Sequence, residues 1–325
     1  MRQKPSAALL VISLTVLLSA CSSQGSSSPS PALNDPAPET VSVQDEPSPQ
    51  PSSGNRDNTS ECLVPKADGT STLGNDTVTV DISNASDGYI CVTYSGDASR
   101  TRAIITIPSQ VAYTYDLTTD VCEVFPLTGG VGDYNIGIYE LISGNNYSIL
   151  YNDDFSIDYI DEYSPYLYPN QYVNFDKNSL AVAKASELVE TANDDAEAIS
   201  MVYNYVIENI EYDYEEADNI ESTYVPNVDE VLTTKKGICF DYASLMAAML
   251  RSQRIPTRLE IGYAGDVYHA WISTYISDVG WVNGMIQFDG TNWEIMDPTF
   301  AANMSEDKLK SFIGEGSNYT TKYMY

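Results

Sequence analysis

Three residues that are far apart in the sequence have side chains that together can break an amide bond. Cys239 supplies a thiol, His269 is the only histidine in the 325 residues, and Asp297 follows His269 after another 28 positions (297 − 269 = 28). A cysteine nucleophile needs an imidazole that holds it as thiolate and carries a proton to the leaving group. The imidazole needs an acceptor on its other nitrogen, and a carboxylate provides one. The sequence therefore predicts a catalytic triad of Cys239, His269 and Asp297.

Cys239 begins a segment with helical periodicity. The apolar residues that follow it at helical spacing are Ala243, Met246, Ala247 and Leu250. A thiol at a helix N-terminus meets unpaired amide groups and the positive end of the helix dipole, which favour the thiolate. Gly237, just upstream, suits a turn in which the backbone approaches another group closely. A small buried core residue is the alternative interpretation of a single cysteine.

The elements around this helix predict an α+β domain over residues 166–325. Helical spacing covers 179–190 and 196–210, and Asp194 and Asp195 are suitable N-terminal residues for the second helix. The acid-rich stretch 211–221 is predicted to be a loop. A period of two returns after the cysteine helix, in 257–263, 268–276, 281–288 and 293–296. Helices thus come first, and an antiparallel sheet is expected to pack on the cysteine helix.

Three short motifs in this half resemble those of the transglutaminase-like superfamily of cysteine enzymes. They are Gly237-x-Cys239-x-Asp241-Tyr242-Ala243, Tyr268-His269-Ala270-Trp271 and Trp293-x-x-x-Asp297-Pro298-Thr299. The resemblance covers residues 170–325 and implies a papain-like core. It also implies that Cys239 is the nucleophile, that His269 is the base and acid, and that Asp297 orients the imidazole. The oxyanion donor stays open between the Cys239 amide and the side chain of Tyr212 or Tyr214.

Residues 61–165 are predicted to form a separate module, because the period of β-strands extends over about 71–161 within it. Alternating β-branched and aromatic runs occupy 77–82, 89–94, 102–107, 111–117, 134–142 and 147–151. The turn residues of Ser143–Asn146 predict a hairpin between the last two runs. Several short strands at this spacing predict a β-sandwich-like module, which carries no catalytic constellation and is expected to act in spacing or binding.

The N-terminus is typical of an exported protein. In residues 1–20, Arg2 and Lys4 precede a short apolar run, as in a secretory signal peptide. Leu18-Ser19-Ala20-Cys21 resembles the lipobox of bacterial lipoproteins, which implies cleavage before Cys21 and lipidation of its thiol. The alternative is a plain signal peptide cleaved after Ala20. Residues 21–60, rich in Ser and Pro, predict a disordered tether, so we expect an extracytoplasmic protein whose membrane contact is its lipid anchor.

Charge and cysteine content limit the partners. A formal net charge of −30 argues against nucleic acid as a partner. The cysteines lack zinc-ligand spacing and the acid-rich stretches lack the spacing of a calcium loop, so we predict neither a metal nor a cofactor. An exported setting permits disulfides. Cys91 and Cys122, both in strand-like runs, are the first pair to consider, although other pairings that include Cys62 stay open.

The sequence favours acyl transfer on the amide of a protein or peptide substrate, cell-wall peptides included. Water as the second reactant would give hydrolysis or deamidation, and an amine would give crosslinking. The alternative is a surface binding protein whose transglutaminase-like domain no longer turns over, because 25 tyrosines and 3 tryptophans suit ligand binding as well as β packing.

Overall fold

The chain forms an all-β part followed by an α+β part, as predicted. The computed structural model describes residues 56–158, 160–277, 279–283, 286–288, 293–295, 299 and 319–325. Within these residues, the buried hydrophobic side chains of both parts belong to one continuous core. The position of the C-terminal helices is therefore tied to the β module through packing.

The N-terminal part contains two antiparallel four-stranded sheets. Its strands within the described residues are β1 (Thr72–Gly74), β2 (Val78–Asp81), β3 (Tyr89–Tyr94), β4 (Thr101–Thr106), β5 (Ala112–Leu117), β6 (Cys122–Pro126), β7 (Gly132–Ser143) and β8 (Asn146–Ile157). One sheet has the order β1-β2-β3-β6 and the other β5-β4-β7-β8. The predicted alternation holds over the first three residues of β2, where Val78 and Val80 are buried and Thr79 is exposed, and ends at Asp81, which is also buried. The predicted hairpin joins β7 to β8, with Ser143 paired to Asn146.

A disulfide links the two strands at one edge of the first sheet. Cys91 in β3 and Cys122 in β6 are bonded, with their Cα atoms 5.7 Å apart, which confirms the pairing that the sequence favoured. Among the described residues, Cys62 and Cys239 are free thiols.

The C-terminal part places helices around a sheet whose described strands are all antiparallel. The helices are α1 (Leu180–Leu188), α2 (Asp195–Asn209), α3 (Tyr214–Asn219), α4 (Val228–Thr234) and α5 (Cys239–Arg251). The strands are β9 (Glu211–Tyr212), β10 (Lys236–Gly237), β11 (Thr257–Ala264), β12 (Val267–Ile276), β13 (Gly280–Asn283), β14 (Ile286–Phe288), β15 (Trp293–Ile295) and β16 (Tyr319–Met324). The main sheet has the order β13-β12-β11-β16. Short 3-10 helices occupy Ala85–Asp87 and Ser164–Tyr166.

Two details of the predicted elements are wrong. The stretch 211–221, predicted to be a loop, contains β9 and α3. Helix α3 begins there because the Asp213 side chain accepts a hydrogen bond from the Glu216 amide at 3.0 Å. The predicted strand 281–288 is divided into β13 and β14, which belong to different sheets. The predicted N-terminal role of Asp194 is confirmed, since its carboxylate accepts from the Glu197 amide at the start of α2.

Helix α5 is buried on all sides except at its N-terminus. Every residue from Asp241 to Arg251 is buried, because α1, α2 and α4 cover one side of the helix and β11 and β12 cover another. The six consecutive apolar residues from Leu245 to Leu250 suit a helix that is covered on more than one side. The residues left partly exposed at its open end are Cys239 and Phe240.

The last turn of α5 is joined to three other segments by Arg251. Its guanidinium is buried and donates to the carbonyl oxygens of Thr257 (2.9 Å), Tyr168 (2.7 Å) and Tyr325 (2.7 Å). Burial lowers the pKa of Arg251 to about 9, so the side chain remains charged at neutral pH. One side chain thus joins α5 to the sheet and to the segment that leads from the β module.

Residues 56–60 lie within the predicted tether, yet they contact the helical part. The Arg56 guanidinium forms an ion pair with Asp195 at 2.7 Å, at the start of α2. Asn58 donates to the carbonyl oxygens of Glu190 and Ala192. These contacts place the segment at the end of α5 opposite to Cys239, because the Arg56 guanidinium also donates to the carbonyl of Gln253.

We predict that Arg251→Met destabilises the fold by about 2–4 kcal/mol, because three carbonyl oxygens lose a buried donor while the alkyl packing is kept. The midpoint of chemical denaturation measures the loss. Arg254→Met is the matched control, since Arg254 pairs with Asp57 at the surface and such pairs contribute little. Equal midpoints for the two variants would contradict the role assigned to Arg251.

Candidate active site

Cys239 is the first residue of α5 and is partly exposed. The residue before it, Ile238, is the extended N-cap residue and has no side chain that could bond the helix amides. The Asp241 carboxylate instead accepts from the Ile238 amide at 2.8 Å, as the acidic residue of a capping box does. As the sequence predicts, the cysteine therefore lies at the N-terminus of the helix, the positive end of its dipole.

A short parallel strand pair holds the backbone just before the cysteine. Gly237 of β10 is paired with Tyr212 of β9, and the Gly237 carbonyl accepts from the Asp213 amide at 2.9 Å. A Cβ at residue 237 would lie 2.7 Å from Cβ of Asp241. Glycine is therefore required by the close approach that the sequence analysis predicted.

His269 is the third residue of β12 and is 3% exposed. It is paired with Gly262 of β11, and its ring centre is 6.2 Å from that of Trp271. Because side chains alternate along a strand, His269 and Trp271 share one face of β12. Ala270 and Ile272 are on the other face and belong to the hydrophobic core that contains the α5 side chains. The predicted bond between the imidazole and the thiol stays a prediction.

Tyr268 connects the histidine strand with the cysteine electrostatically. The residue is 44% exposed, and its ring centre lies 5.5 Å from that of Tyr263. The pKa of Tyr268 is raised to about 12, first by desolvation and then by the nearby Tyr323, Tyr263 and Cys239. Cys239 thus affects the electrostatics of the residue that precedes His269, and the Tyr268 hydroxyl remains protonated at neutral pH.

The other predicted site residues have different outcomes. Asp297 and Cys21 lie outside the described residues, so the role of each stays a prediction. Tyr212 and Tyr214 are in contact, with ring centres 4.9 Å apart, and Tyr212 is beside Gly237 through the β9–β10 pair. Of the two, Tyr212 is thus the one whose backbone is joined to the segment before Cys239.

An acidic cavity of about 770 Å³ lies against α3 and the residue that precedes it, Asp213. It is lined by Asp213, Glu215, Glu216, Asn219, Ile220, Glu221, Thr223 and Tyr224. Among the described residues, neither these acids nor any other group of three or more His, Cys, Asp or Glu side chains is arranged so that it could hold a metal ion. No helix in the described part of the chain is long and apolar enough to cross a membrane.

Asp241 and Tyr224 belong to this site, and the sequence analysis gave neither a role. The Tyr224 hydroxyl donates to Oδ1 of Asp241 at 2.7 Å. Asp241 could have been found from its place in the first turn of α5, where an acid often bonds the amide before the helix. Tyr224 gives no comparable signal, because it reaches Asp241 from a loop 17 residues earlier.

Residues 182–284 match the transglutaminase-like superfamily. The matched range contains Cys239 and His269 and ends before Asp297. Together with the antiparallel main sheet and the surrounding helices, it shows a transglutaminase-like domain of α+β fold, as the sequence motifs implied.

Individual relatives are more distant. The UPF0252 protein MJ1282 of Methanocaldococcus jannaschii is 26% identical over 169 residues, which are 46% of this chain and 47% of that protein. The chain thus spans about half the length of the curated relative that it matches. A candidate cysteine protease from Cytophaga hutchinsonii is 14% identical, with a TM-score of 0.34 and coverage of 79% of this chain and 81% of that one. The periplasmic domain of TgpA from Pseudomonas aeruginosa, bound to ethylmercury, is 16% identical, with a TM-score of 0.33 and coverage of 76% and 80%.

We predict that Gly237→Ala displaces the first turn of α5 and slows the reaction of Cys239 with iodoacetamide, because the added methyl group would overlap Asp241. Overpacking of this kind costs about 1–3 kcal/mol. Peptide mass spectrometry of the labelled protein measures the rate, and thermal unfolding measures the stability. Wild-type values for both would show that the turn has room for a side chain.

Proposed function

We propose that this protein is an extracytoplasmic cysteine enzyme that transfers the acyl group of an amide in a protein or peptide substrate. The observation that carries the proposal is the position of Cys239, a partly exposed free thiol at the N-terminus of an otherwise buried helix. The helix packs against the strand that carries the only histidine. Both residues fall within the match to the transglutaminase-like superfamily.

The reaction has two halves. The Cys239 thiolate attacks the amide carbonyl carbon, the carbon–nitrogen bond breaks, and the departing nitrogen takes a proton from the His269 imidazolium. The product is a thioester on Cys239 and a free amine or ammonia. Water or a second amine then attacks the thioester, His269 takes its proton, and the thiolate is restored. Asp297 is assigned the orientation of the imidazole throughout.

The proposed location rests on the N-terminal sequence. A signal peptide over residues 1–20 and a lipidated Cys21 would anchor the chain, and residues 22–55 would separate the anchor from the folded part. The contacts of Arg56 and Asn58 with the helical part support a tether that ends at residue 55 rather than at residue 60. In this proposal the folded part faces substrates outside the membrane.

The reactivity of the thiol is the first test. We predict that iodoacetamide at mildly acidic pH modifies Cys239 and leaves Cys62 unmodified, since burial raises the pKa of the Cys62 thiol. His269→Ala should slow the labelling of Cys239 by about 10-fold or more, because the imidazole holds the thiolate. Peptide mass spectrometry distinguishes the two cysteines within one sample. Equal rates of Cys239 labelling in the wild type and in His269→Ala would contradict the proposed role of His269 and with it the proposed enzyme.

The reaction itself is the second test. We predict that a glutamine-containing protein such as casein, incubated with a fluorescent amine, either incorporates the amine or releases ammonia. Whichever activity is found should be lost in Cys239→Ala. It should be kept in Cys62→Ala, because the thiol of Cys62 lies outside the proposed site. Release of ammonia without incorporation would assign hydrolysis. Neither product, with casein and with cell-wall peptides, would contradict acyl transfer and favour a surface binding protein.

A further inference from the structure

Asp241 is a fully buried acid that the proposed acyl transfer does not use. Its side chain is 0% exposed, although it lies only two residues after Cys239. A buried carboxylate is costly unless its oxygens are hydrogen-bonded. Here Oδ2 accepts from the Ile238 amide at 2.8 Å, and Oδ1 accepts from the Tyr224 hydroxyl at 2.7 Å.

The two hydrogen bonds hold the backbone on which the thiol is carried. Cys239 lies between Ile238 and Asp241, so a bond that joins those two residues closes the turn around it. Gly237 packs directly against the Asp241 side chain, with no space for a methyl group between them. Tyr224, which also lines the acidic cavity, fixes the carboxylate from the other side. Movement of Asp241 would therefore move the first turn of α5.

The charged groups around Asp241 come from two further helices. Glu216 of α3 and Glu230 of α4 both disfavour its ionised form, whereas the Ile238 amide and the Tyr224 hydroxyl favour it. Burial is the largest effect, and the pKa of Asp241 is raised to about 6. The pKa of Glu216 is also raised, by burial and by Asp213 and Glu230, and the Tyr224 hydroxyl opposes that rise. Burial and the neighbouring acids thus bring the pKa of the Asp241 carboxyl group into the mildly acidic range.

We propose that Asp241 is a positioning residue for Cys239: its buried carboxylate fixes the first turn of α5 through the Ile238 amide and the Tyr224 hydroxyl, and its charge sets the reactivity of the thiol. The inference rests on the proposed function for the identity of the nucleophile. Thiol reactivity can nevertheless be measured without turnover, so the two can fail independently.

The test is the rate of iodoacetamide labelling of Cys239 in the full-length protein, followed from acidic to alkaline pH. The wild type should show a step near pH 6, where Asp241 ionises, in addition to the ionisation of the thiol. Asp241→Asn keeps the shape of the side chain and should abolish this step. His269→Ala should slow the reaction and keep the step, which separates the carboxyl group from the imidazole. A step that survives in Asp241→Asn, or that disappears in His269→Ala, would overturn the proposal.

Two milder substitutions test the same group with opposite signs. Tyr224→Phe removes a donor to the carboxylate and should move the step to higher pH, whereas Glu216→Gln removes a nearby negative charge and should move it to lower pH. These two variants show whether Asp241 causes the step even if Asp241→Asn fails to fold, which thermal unfolding would reveal. Shifts in the same direction, or no shift in either variant, would count against Asp241. If the two variants shift the step in opposite directions but the protein neither incorporates the amine nor releases ammonia, the positioning role of Asp241 is retained and the proposed acyl transfer is contradicted.

Discussion

The site depends on a helix that is buried along its length and open at one end. Eleven consecutive residues of α5 are buried, so the helix cannot shift without disturbing the core that the β module and the helical part share. Its N-terminus must nevertheless expose a sulfur atom, which leaves the first amides without the cover that the rest of the helix has. The carboxylate of Asp241 meets this constraint by bonding the Ile238 amide from inside the protein. Asp241 thus bonds an amide at the helix N-terminus, while Cys239 stays partly exposed.

The β module supports the position of α5 through a series of aromatic contacts. Tyr325 follows β16 and is buried against Tyr113 of β5 and against Tyr172, with ring centres 5.4 Å and 4.8 Å apart. Tyr172 in turn contacts Phe240, and its carbonyl accepts from Ser244 of α5. A chain of aromatic contacts therefore connects the β module to the first two turns of the cysteine helix. The module thus contributes packing to the site, although it supplies no residue of the predicted triad.

The sequence predicted the elements whose signals are local. The helical period identified α1, α2 and α5, and the alternation of β2 to β5 indicated a sandwich, because each pattern repeats within a few residues. It could not give β9 and β10, since two-residue strands are defined by a partner about 25 positions away (236 − 211 = 25). Nor could spacing give the face of β12 that carries His269, because a shift of one residue in strand register reverses every side chain. The Asp241–Tyr224 bond was missed for a similar reason: the loop that supplies Tyr224 has no periodic pattern.

The electrostatics of the helix end follow from the acidic character of the whole chain. The chain has 46 acidic residues against 16 Lys and Arg, and two of the acids, Glu216 and Glu230, disfavour a negative charge on Asp241. Folding raises the pKa of Asp241 from 3.8 to about 6, so the folded protein binds more protons than the unfolded chain between those values. This group therefore makes the fold more stable at low pH, and the stability falls as the pH rises through that window. Two pH units correspond to at most about 3 kcal/mol. A fold that carries this cost at neutral pH gains a charged acceptor for the Ile238 amide, and that bond holds the turn on which Cys239 must react.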